Sequence, residues 1–161
     1  MENIKAVIFD FGYTIYDPEK DQFMDGALET IQLLHKKGLK LALMSRTKDP
    51  EKRKEQIKKL GLEKYFNFIE ALPIHGTKEF TPIIEKFGFK PAEFLVVGDR
   101  FTSEIKQGNI AGMNTARFLF GPEKDMNPTK DEEKHDYTIS NLKEVLNLVK
   151  WQYLLQTKPK F

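Results

Sequence analysis

A chain of 161 residues, 40% of them hydrophobic, suffices for one domain with a substantial core. Its 26 basic and 24 acidic residues leave a net charge of +2, which gives no reason to expect nucleic acid as a partner. The absence of cysteine excludes disulfides, thiolate zinc sites and a thiol nucleophile. No apolar run approaches the roughly 18 residues that span a bilayer, and the first residues lack a secretory-signal pattern. The expectation is a cytoplasmic monomer or small homo-oligomer with no membrane partner.

The stretch Ala6-Val7-Ile8-Phe9 is apolar on both faces, as a strand covered on both sides of a parallel sheet must be. It stops at Asp10. A carboxylate at the C-terminal tip of such a strand sits where open α/β sheets place their ligands; it is also a common turn residue. After a polar stretch, Asp17–Asp25, comes a helix with Asp25 as its cap, Leu28, Ile31 and Leu34 as its apolar stripe, and Gly38 as its stop. Leu39–Met44 is a second strand ending at Ser45-Arg46-Thr47. Asp49-Pro50 opens a second helix that runs to Leu60. Its basic face, Lys52-Arg53-Lys54 with Lys58-Lys59, reads as solvated.

Phe66–Leu72 is a third strand and Lys78–Phe87 a third helix. Phe94–Val97 is a fourth strand running into Gly98-Asp99-Arg100, followed by a helix over Thr102–Ala111 and a strand over Asn114–Phe118. Pro122–Asp136 reads as an exposed loop and Tyr137–Ile139 as an edge strand. A last helix, opened by the pair Asn141 and Glu144, carries Leu142, Val145, Leu146, Val149 and Trp151. The tail Thr157–Phe161 is expected to fray. Strands alternating with helices imply an α/β chain in three layers, α/β/α, around a mainly parallel sheet. The connections are too short for an extra folded lid, so a single domain is expected over residues 1–161.

Asp10, Ser45, Lys78 and Asp99 each fall where a strand ends or a helix begins. Parallel strands bring their C-terminal tips to one edge, so the four can converge. The residue types suit phosphoryl transfer to a side chain. One carboxylate can attack phosphorus, and a second can help hold Mg2+. A hydroxyl and an ammonium can bind the transferring oxygens. Taken singly, Ser45 and Asp99 also read as caps and Lys78 as a surface lysine. Arg46 and Arg100 read either as partners of a substrate phosphate or carboxylate or as salt-bridge residues.

These motifs resemble those of the haloacid dehalogenase (HAD) superfamily of hydrolases over about residues 4–120. VIFDFGYTI resembles the first motif with Asp10 as nucleophile, and Ser45 and Lys78 fall on the second and third. LVVGDRFTSEI resembles the fourth, giving Asp99 and Glu104. Within the superfamily, SRTKDP, Lys78 with Phe80 and the short connections look most like the capless magnesium-dependent phosphatases. The resemblance implies a Rossmann-like, HAD-type sheet without a cap domain and a phosphorylated substrate, macromolecular ones included. It implies an aspartyl-phosphate mechanism with Asp10 and Lys78 catalytic and Ser45, Arg46 and Lys78 on the substrate. The cation, Mg2+, would be held by Asp10, the backbone carbonyl of Gly12 and Asp99.

The chain departs from that pattern at Gly12, where the phosphatases carry an Asp that acts as general acid and base. Such a group contributes typically about 10^2 to 10^4 in rate. A slow phosphatase is therefore expected, unless Tyr13, Tyr16 or His75 stands in. The alternative is a catalytically decayed phosphate-binding or regulatory module. Dehalogenation is disfavoured, since the dehalogenases use a cap for their halide contacts.

Overall fold

The computed structural model describes residues 3–149. Six strands form one sheet: β1 (Ala6–Phe9), β4 (Lys40–Thr47), β5 (Phe68–Pro73), β6 (Phe94–Gly98), β7 (Asn114–Phe118) and β8 (Tyr137–Ile139). Their order is β5-β4-β1-β6-β7-β8, and every neighbouring pair is parallel. β2 (Tyr16–Asp17) and β3 (Gln22–Phe23) make a separate antiparallel ribbon. The helices are α1 (Ala27–Lys36), α2 (Pro50–Lys59), α3 (Thr81–Phe87), α4 (Lys106–Ile110) and α5 (residues 144–149).

Strand β1 lies in the middle because both its faces are apolar. Val7 and Phe9 join one core with Leu41, Leu43, Leu95 and Val97, beneath Ile31 and Leu34 of α1 and Ile57 of α2. Ala6 and Ile8 join the other with Met44, Val96 and Phe94, beneath Ile83 of α3. Fully burying one such side chain contributes about 1.5–3 kcal/mol, so the two cores clamp the strand from both sides. The register sets Phe9 between Leu43 and Val97. The backbone N–H of Asp10 extends the ladder to the Val97 carbonyl at 3.0 Å. Asp10 is thereby fixed at the strand tips.

Several boundaries differ from the sequence expectation. Asp25 does not cap α1: Gly26 occupies that position with φ 73 and no side-chain cap bond. The Asp49 cap is present, its carboxylate accepting from the Lys52 N–H at 3.1 Å. Helix α3 begins at Thr81, which leaves Lys78 in the preceding loop. The helix expected over Thr102–Ala111 opens instead as a wide π-type turn, Phe101–Ile105, before α4. The polar stretch Asp17–Asp25 holds most of the β2–β3 ribbon. The loop Pro122–Asp136 is not wholly exposed, since Glu123 and Glu133 are buried within it. The Glu144 carboxylate accepts from the N–H groups of Ser140 and Asn141, as a cap should. Trp151 and residues Thr157–Phe161 lie outside the described residues.

Between β1 and β4 stand only the ribbon and α1, and between β5 and β6 only α3 and a short 3-10 turn at Pro91–Glu93. Among the described residues, no helix is long and apolar enough to cross a membrane.

Candidate active site

The strand tips gather several of the expected residues on one cleft of about 380 Å³, lined among others by Asp10, Gly12, Arg46, Lys78, Arg100 and Glu104, whereas Ser45 and Asp99 are buried and do not line it. Lys78 is the hub. Its side chain is 3% exposed, and its ammonium donates to Asp10 Oδ1 and, at 3.2 Å, to Glu104 Oε2. Burial works against its charge, but Asp10 and Glu104 outweigh that and hold its pKa above the usual lysine value.

Glu104 reaches Lys78 because the wide turn after β6 folds it back over the strand end. A Cβ at Gly98 would lie 2.2 Å from Glu104 Cγ, so only glycine admits the approach. The other carboxylate oxygen of Glu104 accepts from the Arg100 N–H at 3.2 Å. Burial, then Asp10, raises the Glu104 pKa, and Lys78 opposes them.

Asp99 is 1% exposed. Its Oδ1 accepts from the Thr14 hydroxyl at 3.3 Å, which ties the tip of β6 to the loop after β1. Its Oδ2 is buried with no partner. Gly121, with φ 78 in the loop after β7, presses against that oxygen: a Cβ there would stand 2.5 Å from Asp99 Oδ2 and 2.9 Å from Tyr13 Cβ. Burial, with Asp10 and Glu104 adding to it, pushes Asp99 up to about 10. The segment Gly121 belongs to is itself anchored. Arg117 donates to the carbonyls of Glu123 and Met126, and the Glu123 carboxylate accepts from the hydroxyl and N–H of Thr102.

Asp10, Asp99 and Glu104 offer carboxylate oxygens that all lie within 4.8 Å of one another. Three hard oxygen donors around one orphaned, buried oxygen fit a divalent cation, which would supply the charge that Asp99 lacks. Of the expected ligands, Asp10 and Asp99 belong to this group. Gly12 lines the same cleft, and Glu104 joins them on equal terms.

Ser45 is 1% exposed and lies in β4, two residues before its end. It accepts a hydrogen bond from Arg53 of α2. The guanidinium of Arg53 sits 4.6 Å over the Phe11 ring. Burial lowers its pKa, and Asp10 partly restores it. Arg53 was not singled out by the sequence, where it sits among lysines. The one available signal is its i, i+4 relation to Ile57, the sole buried residue of α2. Thr14 stood in the first motif without a role assigned to it, and Gly121 and Asp21, a ribbon residue on the cleft, were missed.

The candidate substitutes for the missing acid fare unevenly. His75 is exposed. Tyr13 and Tyr16 do line the cleft. Their hydroxyls are engaged, however, by Glu19 at 3.5 Å and Asp21 at 2.5 Å. A Cβ built on Gly12 meets nothing within 4 Å, so the space of a side chain is open there.

Residues 7–112 match the family model of haloacid dehalogenase-like hydrolases. The chain belongs to that family. Among curated relatives, it is similar to the glyceraldehyde 3-phosphate phosphatases of Methanocaldococcus jannaschii (32% identical) and Methanopyrus kandleri (30%), over 76% of this chain and 54% of each of those proteins. The chain thus spans about half the length of the curated relatives it matches. Of solved structures, YfnB of Bacillus subtilis, assigned as a HAD-hydrolase and solved bound to magnesium, is 25% identical with a TM-score of 0.66, over 80% of this chain and 56% of that one. A HAD phosphatase from Thermococcus onnurineus shares the fold, with a TM-score of 0.63 at 23% identity over 82% of this chain and 60% of that one.

Proposed function

We propose that the chain is a capless, Mg2+-dependent phosphatase that works through an aspartyl-phosphate on Asp10, slowly because of Gly12. The observation that carries this reading is the buried Lys78 ammonium bonded to both Asp10 and Glu104, with Asp99 alongside. One oxygen of Asp10 attacks phosphorus while the ester oxygen departs with the bonding electron pair. Water then attacks the phosphorus of the acyl phosphate, which frees inorganic phosphate and regenerates Asp10. Lys78 orients Asp10 and offsets its charge, and Ser45 donates to a transferring oxygen. Asp10, Asp99 and Glu104, with the Gly12 carbonyl, would hold the cation, which supplies positive charge to the phosphoryl oxygens. The names of the curated relatives support a phosphate ester as substrate. The open cleft admits bulky phosphorylated molecules.

The test is hydrolysis of p-nitrophenyl phosphate with Mg2+. Turnover by the wild type that Asp10→Asn abolishes is the expected result, and equal rates in the two would end the enzyme reading. A second reading is favoured by the two engaged phenols beside an empty Gly12: a module that binds phosphate but no longer turns it over. It predicts phosphate binding without hydrolysis by the wild type.

A further inference from the structure

The cations of the cleft divide into one that is used and others that are not. Lys78 is committed to Asp10 and Glu104. Arg46 and Arg53 line the same cleft, and among the described residues neither has a carboxylate within 4.0 Å. Arg53 is the more telling. Its neighbours on α2, Lys52, Lys54, Lys58 and Lys59, are exposed, whereas Arg53 is half-buried on the side of Ile57. Burying a guanidinium there without an ion-paired carboxylate costs free energy, which Asp10 offsets only in part, and stacking on Phe11 holds it in place. It gives one N–H to Ser45, and a guanidinium has five. Ser45, having accepted that bond, keeps its own hydrogen to donate to a phosphoryl oxygen. Arg53 therefore lines the cleft beside Ser45 with donors to spare.

Resting on the phosphate-site reading above, we propose that Arg53 and Arg46 form a second anion subsite. The substrate would then carry another acidic group, carboxylate or phosphoryl, next to the phosphate that is transferred. A planar guanidinium fork matches either oxyanion bidentately, as lysine does not. A substrate with one phosphate and no other acid would leave both arginines unmatched.

Two probes that cannot be hydrolysed separate the subsites: methylphosphonate, which carries the phosphonate alone, and phosphonoacetate, which adds a carboxylate. Both are titrated calorimetrically into the wild type with Mg2+. Phosphonoacetate is expected to bind at least about tenfold more tightly. Arg53→Gln and Arg46→Gln should each erase most of that ratio, with methylphosphonate affinity changing less than about threefold. Arg53→Lys should recover only part of it. Pyrophosphate against inorganic phosphate, titrated in the same way, tells which second acid is preferred. Equal affinity for the two phosphonates overturns the subsite and leaves the phosphate site standing. If Arg53→Gln weakens both equally, Arg53 holds the transferring group itself, and the subsite is again refuted. If methylphosphonate fails to bind at all, the function proposed above falls and the subsite with it.

Discussion

If the chain is the slow phosphatase proposed above, replacing Gly12 with Asp should make it a fast one. A Cβ at this position meets nothing within 4 Å, and Gly12 is not among the residues with positive φ, so a side chain enters without strain. Stability should hold or rise slightly, because losing a glycine restricts the unfolded chain by about 0.4–1 kcal/mol. A general acid and base is worth about 10^2 to 10^4 in rate, or about 2.7–5.4 kcal/mol off the barrier. The gain should depend on the leaving group. An alkyl phosphate must release an alkoxide and gains in both steps. p-Nitrophenolate leaves unaided, so its ester gains only in the attack of water on phosphorylated Asp10. The wild type should therefore release about one equivalent of p-nitrophenol in a burst and then slow down, and Gly12→Asp should remove the burst by speeding the second phase. Stopped-flow absorbance reads both. A folded Gly12→Asp variant with unchanged rates on both ester types would refute the idea that this position limits turnover, as would a wild type that is already fast.

Two further outcomes follow from the surroundings of Asp99. Gly121→Ala drives a methyl group to 2.5 Å from Asp99 Oδ2 at a φ of 78. The left-handed backbone alone should cost about 1–2 kcal/mol, and thermal shift titrated with Mg2+ should show weaker cation binding; an unchanged Mg2+ midpoint would contradict the contact. In the cation-free protein Asp99 is pushed up to about 10 against an unfolded value near 3.9. The folded state then holds a proton that the unfolded state has released, so this group's contribution is full below about pH 4 and declines as pH rises toward 10. With EDTA, Tm should fall across that range, and Mg2+ should flatten the fall by replacing the proton. Parallel curves with and without Mg2+ would contradict this.

What the sequence disclosed depended on how far each signal stood above its surroundings. Ala6–Phe9 ending at Asp10, and Phe94–Gly98 ending at Asp99, were legible because uniformly apolar runs cut off by an acid are rare on a surface. The βαβ alternation around them gave the parallel sheet. Arg53 was hidden because a helix of mean polar character disguises the one cation that turns inward. The β2–β3 ribbon has two residues per strand, too few for an alternation to register. The wide turn at Phe101–Ile105 follows from where Glu104 must reach, which is a tertiary demand with no local signature. Gly121 gave no warning either, since its importance lies in an acid on a different strand.

The strand order has a consequence for the newborn chain. β1, β4 and β5 adjoin one another and can pair while the remainder is still on the ribosome. β6 must then slot beside β1 from far along the polypeptide, Thr14 and Asp99 being 85 positions apart. Until that strand docks, Asp99 and Glu104 are missing from beside Asp10, so the cluster of three carboxylates comes into being only with the later half of translation.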